Sequence, residues 1–200
     1  MDNEFGCMST MINENKIDMK FDMQPTLQNN QVILSPLLED DFEALYAVAS
    51  DPEIWKQHPN KDRWKREVFQ TFFEGAMQSG GAFKIIDSES GEVIGSTRIY
   101  DYNDLDNSIF VGYTFYGVSY WGKGVNKGTK ILMLNYLFQF VSKVILHVGS
   151  GNLRSQIAVA RLGAEKTGEV EVGYYGEIPK INYVYEITKI NWTKSKIQSI

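Results

Sequence analysis

The segment Ile109-Phe110-Val111-Gly112-Tyr113-Thr114-Phe115-Tyr116 runs through a short turn into Trp121-Gly122-Lys123-Gly124 and then into a long, mostly apolar stretch. β-Branched and aromatic residues in the first part favour a strand, and the last part carries helical periodicity. A strand that delivers glycines to a helix N-terminus is an anion-site geometry. Glycines let backbone approach a ligand closely, and the first N–H groups of the helix have no intrahelical acceptor. Phosphate or pyrophosphate is the natural guest. A ligand-free glycine turn would explain this loop equally well, so the rest of the chain must decide.

Two nucleotide readings fail on single residues. Gly117 to Lys123 matches the phosphate-loop pattern GxxxxGK, but Gly124 stands where a Ser or Thr hydroxyl should hold magnesium. Tyr120 and Trp121 also crowd what should be a small-residue cradle. The dinucleotide pattern GxGxxG begins at Gly122 and breaks at Lys127.

At 200 residues, 43% hydrophobic and 22% charged, the chain suits one globular domain. Its net charge of -5 argues against a nucleic-acid partner, which needs a basic face, and suits an amine acceptor better. Cys7 is the sole cysteine, so no intrachain disulfide forms. No run reaches membrane-spanning length and the first residues lack the apolar core of a secretion signal, so a cytoplasmic location is expected. Residues 1–30 read as a loosely ordered extension, 31–190 as the domain, and 191–200 as a polar tail.

Around the glycine loop the pattern alternates between strand and helix. Val32-Ile33-Leu34 reads as a strand. Phe42, Leu45, Tyr46 and Ala49 form a helical stripe stopped by Asp51-Pro52, and Trp64, Val68, Phe72 and Ala76 form another ending at Gly80-Gly81. These two helices should border an acceptor site. A hairpin spans Ala82 to Tyr100 across the turn at Asp87 to Gly91. A helix from about Asn126 to Ser142 follows the loop. Val144 to Val148 is a continuous apolar run, the pattern of a central strand covered on both faces. A short helix spans Asn152 to Leu162, with Gly163 as its stop, and Ile181, Tyr183, Tyr185 and Ile187 alternate in a last strand. The order βααβββαβαββ predicts an α/β (α+β) architecture, one mixed sheet with helices on both sides.

Three segments in this order, EVIGSTRIY, YWGKGVNKGTKILMLNYLF and NLRSQIAVARLGA, resemble the GNAT (Gcn5-related) N-acetyltransferase family, and most of all its branch of ribosomal-protein N-terminal acetyltransferases. The resemblance covers about Val32 to Ile190. It implies the GNAT fold, a mostly antiparallel mixed sheet with splayed central strands, and acetyl-CoA as the acyl donor. The family loop Q/R-x-x-G-x-G/A falls on Trp121, Gly124 and Asn126, of which Gly124 alone conforms. Gly122, Lys123, Gly124, Val125, Asn126 and Lys127 would then surround the CoA pyrophosphate. Asn152 would bond the pantetheine arm, with Phe115 and Tyr116 beside it, and Ser155 would lie near the thioester sulfur. One extra residue between Gly112 and Gly124, relative to the branch pattern, suggests a bulge near Tyr116-Gly117.

The resemblance implies acetyl transfer to a primary amine, on a protein N-terminus or a small molecule, by direct attack in a ternary complex. Where many relatives carry an acidic Tyr this chain has Val159, which leaves Ser155 as the candidate general acid. Phe110 stands where some relatives carry a glutamate, and Glu53, Asp101, Glu165 and Glu169 remain as unassigned acids. His58 and His147 have no partner at metal or triad spacing and read as structural, so no metal is expected. Trp55 and Trp64 read as packing residues. A homodimer is compatible with the sequence, and a non-catalytic acyl-CoA-binding or sensor module is the alternative function.

Overall fold

The computed structural model describes residues 21–173 and 178–195. Its eight strands are β1 (Leu27–Gln28), β2 (Val32–Pro36), β3 (Ala82–Asp87), β4 (Val93–Asn103), β5 (Ser108–Tyr116), β6 (Lys143–Gly149), β7 (Glu165–Val172) and β8 (Lys180–Thr188). They form one sheet in the order β1-β2-β3-β4-β5-β6-β8-β7. Every neighbouring pair is antiparallel except β5 and β6. A parallel pair needs a crossover, and the glycine loop with helix α3 (Val125–Leu137) supplies it.

The sheet separates two cores. On one face Val144, Leu146 and Val148 of β6 join Ile109 and Val111 of β5 and Met133, Leu134 and Leu137 of α3. On the other, α1 (Phe42–Ala49) and α2 (Arg66–Gln78) contribute Leu45, Ala49, Phe69, Phe72 and Phe73, packed with Trp55 and Phe115. The buried face of α2 is thus Phe69, Phe72, Phe73 and Ala76. Trp64 lies before the helix and is 38% exposed, so its expected packing role is corrected; Trp55, 2% exposed, does pack. Short helix α4 (Leu153–Ala160) follows β6, and Gly163, at φ 81, stops its trailing turn as the sequence suggested.

Three boundaries differ from the sequence reading. Helix α3 ends at Leu137 rather than Ser142, because Phe138 to Phe140 close a turn that brings Val141 into the core. Residues 1–20 of the expected loose extension lie outside the described residues, but residues 21–30 are docked. The Phe21 ring stacks on Phe140 at 5.0 Å, the Tyr136 hydroxyl donates to the Asp22 carbonyl at 2.7 Å, and β1 pairs with β2. At the other end α5 (Lys189–Lys194) buries Trp192, whose indole N–H donates to Asn135 Oδ1 at 2.9 Å. The expected polar tail therefore does not begin at 191; residues 196–200 lie outside the described residues. Among the described residues no helix is long and apolar enough to cross a membrane.

Candidate functional site

Strands β5 and β6 pair only at Ser108 with Lys143, Ile109 with Val144 and Phe110 with Ile145. Beyond that point β5 stays with β4 and β6 stays with β8, so the two central strands part. A bulge lies on the β5 side of the gap: Tyr113 and Thr114 together oppose the single residue Thr97. Tyr113 takes φ 52, a left-handed conformation that costs a non-glycine residue about 1–2 kcal/mol. Its ring compensates by packing under the Arg98 guanidinium, 3.9 Å away, and against Tyr100. The bulge sits earlier than the Tyr116-Gly117 position expected from the extra residue, because β5 regains register with β4 at Phe115 and Tyr116.

A cavity of about 870 Å³ fills the splay. Residues Gly112 to Tyr116 form one wall and Leu146 to Gly149 the other, with the glycine loop at one end and the connector Ile54 to Pro59 across it. Pro59 rests directly on β6: a Cβ at Gly149 would come within 2.3 Å of Pro59 Cγ.

The loop end of the cavity is built from backbone. Gly122 and Gly124 have φ 74 and 83, and Gly124 is the N-cap of α3 with no side chain capping the helix. The first N–H groups of α3 are therefore left for a ligand, at the positive end of the helix dipole. A Cβ at Gly122 would meet nothing within 4 Å and one at Gly124 only Gln31, 3.8 Å away, so the space over both glycines is open. Trp121 fixes the loop from behind. Its indole N–H donates to the Tyr116 carbonyl at 3.2 Å, and the Arg154 guanidinium lies 3.8 Å from its ring centre. Lys123 and Lys127 are exposed at the rim, and Asn126 accepts from the Tyr116 hydroxyl at 3.4 Å. Burial pushes the Tyr116 phenol up, so it stays protonated and donates. The charge and geometry of this end suit an anionic diphosphate.

Helix α4 enters the cavity by its N-terminus. Asn152, 7% exposed, caps it by accepting from the Ser155 N–H at 3.1 Å. That bond occupies the side-chain oxygen and leaves the amide N–H groups of Asn152 for a ligand carbonyl. The half-buried Ser155 lines the cavity. Arg154 ties the helix to the connector, its backbone N–H donating to Gln57 Oε1 at 3.1 Å and its guanidinium to the Ile54 carbonyl at 2.9 Å. All the residues assigned to the cofactor in the sequence line this cavity except Lys123, which stands just outside it over the Tyr120 ring.

The opposite end is built from side chains that sequence reasoning assigned to structure or did not single out. His58 and His147 both line the cavity. Burial, and then the Arg63 charge, pull His58 well below the usual imidazole value, and Arg63 Nη1 approaches His58 Nε2 at 3.3 Å. His147, with its ring 4.8 Å from Phe110, is lowered by burial and partly restored by the charge of Asp101. Among the described residues no carboxylate lines the cavity, whereas Arg63, Lys127, Lys130, Arg154, Arg161 and Lys180 do. The local field is therefore basic although the chain is acidic overall. Glu53, Asp101, Glu165 and Glu169 all lie outside the cavity lining: Glu53 and Glu169 pair with Lys56 and Lys166, and Glu165 accepts from Asn191 at 3.1 Å. Lys130 was legible only as a lysine in line with Met133, Leu134 and Leu137 on the apolar stripe of α3. No group of three or more metal-ligating side chains occurs among the described residues.

The model of the acetyltransferase (GNAT) domain matches residues 31–165. The chain belongs to the GNAT acetyltransferase family, in which acetyl-CoA is the acyl donor. Solved structures agree at the level of the fold. A GCN5-related N-acetyltransferase from Brucella melitensis is similar over 88% of this chain and 82% of its own, at 18% identity and TM-score 0.74. A GNAT-family acetyltransferase from Bacillus anthracis matches 83% of this chain and 99% of its own, at 18% identity and TM-score 0.67. RimJ of Mycobacterium smegmatis, solved in complex with CoA-disulfide, matches 86% of this chain and 90% of its own, at 16% identity and TM-score 0.65.

Proposed function

We propose that the protein transfers an acetyl group from acetyl-CoA to a primary amine by direct attack in a ternary complex. One observation carries the reading: the uncapped start of α3, the strand bulge and the capped start of α4 all open on one cavity. The donor supplies a thioester-activated acyl group. Residues Gly122 to Lys127 hold its diphosphate, the free edge of β5 at Phe115 and Tyr116 and the Asn152 amide hold its arm, and the Ser155 hydroxyl donates the proton that the departing thiolate needs. Backbone N–H groups of the bulge are preorganised donors for developing negative charge, at no cost in reorganisation.

An alkyl ammonium has a reference pKa of about 10.4 and an α-ammonium about 8, and either must lose a proton before it attacks. With no carboxylate among the described lining residues, His147 is the best-placed acceptor, since burial favours its neutral form. The amine enters from the face of α1 and α2, past Arg63 and His58. The same absence of a carboxylate, with Val159 at the position of the family tyrosine, favours the second reading, a non-catalytic acyl-CoA-binding module.

Thiol release from acetyl-CoA in the presence of N-terminal peptides, amino acids, polyamines and aminoglycosides tests the proposal. Amine-dependent release by one class supports transfer and identifies the acceptor. Saturable CoA binding with no release across the panel supports the binding module instead.

A further inference from the structure

Helix α3 carries a lysine where its periodicity calls for an apolar residue. Lys130 is 4% exposed, and its ammonium donates to the hydroxyls of Thr114 at 2.6 Å and Thr97 at 3.1 Å. Those hydroxyls lie 2.8 Å apart, and Thr114 Oγ1 donates onward to the Gly112 carbonyl at 3.2 Å. Thr114 is one of the two bulged residues, and Thr97 is the single residue opposite them. The network thus joins the second turn of the loop helix to the bulge, and Lys130 itself lines the cavity. A leucine in this place would fill the core without the cost of burying an amine.

We propose that Lys130 is a further residue of the acyl-CoA site, which places an ammonium at the bulge and favours the negative charge brought or developed there. The assignment rests on the acyltransferase reading above and adds a buried ammonium beside the bulge to the backbone donors, the Asn152 amide and the Ser155 hydroxyl of that site. Two of the three N–H bonds of the ammonium are committed to threonines, and the third is left for a ligand.

Burial alone lowers Lys130 to about 7, and no charge of either sign contributes. The surrounding elements explain this. From β4 the facing group is Thr97, while the Arg98 guanidinium bonds the Phe72 and Gly75 carbonyls on the other side of the sheet. From β5 the facing groups are Thr114 and the protonated Tyr116, and on α3 the nearest titratable group, Lys127, is exposed. Across the cavity His147 leans neutral, and Arg154 is held against Trp121. An anionic ligand in the cavity therefore stabilises the protonated form, and by linkage acetyl-CoA binding draws a proton from solvent onto Lys130.

The experiment is calorimetric titration of the full chain with acetyl-CoA slightly above neutral pH, in phosphate and in Tris, whose different ionisation heats report the protons exchanged. The expected result is uptake of a substantial fraction of a proton by the wild type that is lost in Lys130→Met. The variant should also bind at least about tenfold more weakly, the scale of a lost charge-assisted hydrogen bond. Thr114→Val keeps the amine and removes one anchor, so it should reduce the uptake without abolishing it, and it carries the test if Lys130→Met does not fold. Equal proton uptake and equal affinity in wild type and folded variants would overturn the role of Lys130 and leave the acyltransferase reading standing. No acetyl-CoA binding by the wild type would overturn that reading itself.

Discussion

The two ends of the cavity are made of different material. The loop end consists of backbone: two glycines at positive φ, an uncapped helix start and the free edge of a strand. The far end consists of side chains drawn from distant parts of the chain, with Arg63 and His58 from the connector after α1, His147 from β6 and Lys180 from the start of β8. A backbone site has to be written locally, as glycines at fixed spacing beside a strand and a helix. A side-chain site need not be, because any two surfaces that pack can assemble it. The loop end accordingly explains itself in the sequence, whereas the far end exists only in the fold.

The sharpest way to separate the ends is Ser155→Ala, since Ser155 lies where they meet. Loss of a general acid lowers kcat by about 10²–10⁴-fold with acetyl-CoA affinity unchanged. Stability should move by less than about 0.5 kcal/mol, because the cap of α4 is the Asn152 side chain and not the Ser155 hydroxyl. Normal turnover in a folded variant would hand the proton to solvent.

His147→Gln is the next largest. Removing the proton acceptor should lower kcat by on the order of 10²-fold near neutral pH, and the loss should shrink as rising pH deprotonates the amine without help. A loss that is constant with pH would mark His147 as a packing residue.

Gly149→Ala then tests whether the connector shapes the acceptor end. The new methyl would meet Pro59, so Pro59, the neighbour of His58 in the chain, must shift. The expected result is an amine KM raised by roughly tenfold with acetyl-CoA affinity retained, the scale of a displaced contact of 1–2 kcal/mol. Equal weakening of both substrates would show that the ends are not independent.

The smallest effect is on stability. Lys130 stands at about 7 in the folded protein against 10.5 for the ordinary side chain. Between these values the unfolded chain binds more protons than the folded one, so this group makes stability rise with pH across that window. Melting temperatures taken from neutral pH upward should climb for the wild type relative to Lys130→Met. Parallel curves would mean that Lys130 keeps its proton throughout.

How far the sequence reached follows from the same contrast. The hairpin of β3 and β4, the aromatic run of β5 and the apolar run of β6 were legible because each is a local pattern bounded by turn residues. Their order predicts one mixed sheet with helices on both sides, and the resemblance of three segments in that order implies the GNAT fold. The bulge was anticipated but placed too late, since nothing in the run from Gly112 to Gly117 says which residue leaves register. That is decided by Tyr113, whose ring finds Arg98 and Tyr100 only in the folded sheet. Phe21 and Trp192 read as parts of polar termini in the sequence because their partners, Phe140 and Asn135, lie more than fifty residues away. His147 looked structural because Phe110 and Asp101, which set its environment, belong to other strands.

Gly124→Asp tests most directly whether the loop from Gly122 to Lys127 holds the diphosphate of acetyl-CoA. Position 124 has φ 83, so a side chain there costs about 1–2 kcal/mol of backbone strain, and the carboxylate adds a negative charge where the phosphates must lie. The measurement is calorimetric titration of wild type and variant with acetyl-CoA and, separately, with magnesium-ATP. The expected result is saturable acetyl-CoA binding by the wild type, weakened about 10²-fold or more in a folded Gly124→Asp protein, with no ATP binding by either. Unchanged acetyl-CoA affinity in the folded variant, or ATP binding in its place, would contradict the assignment of the loop.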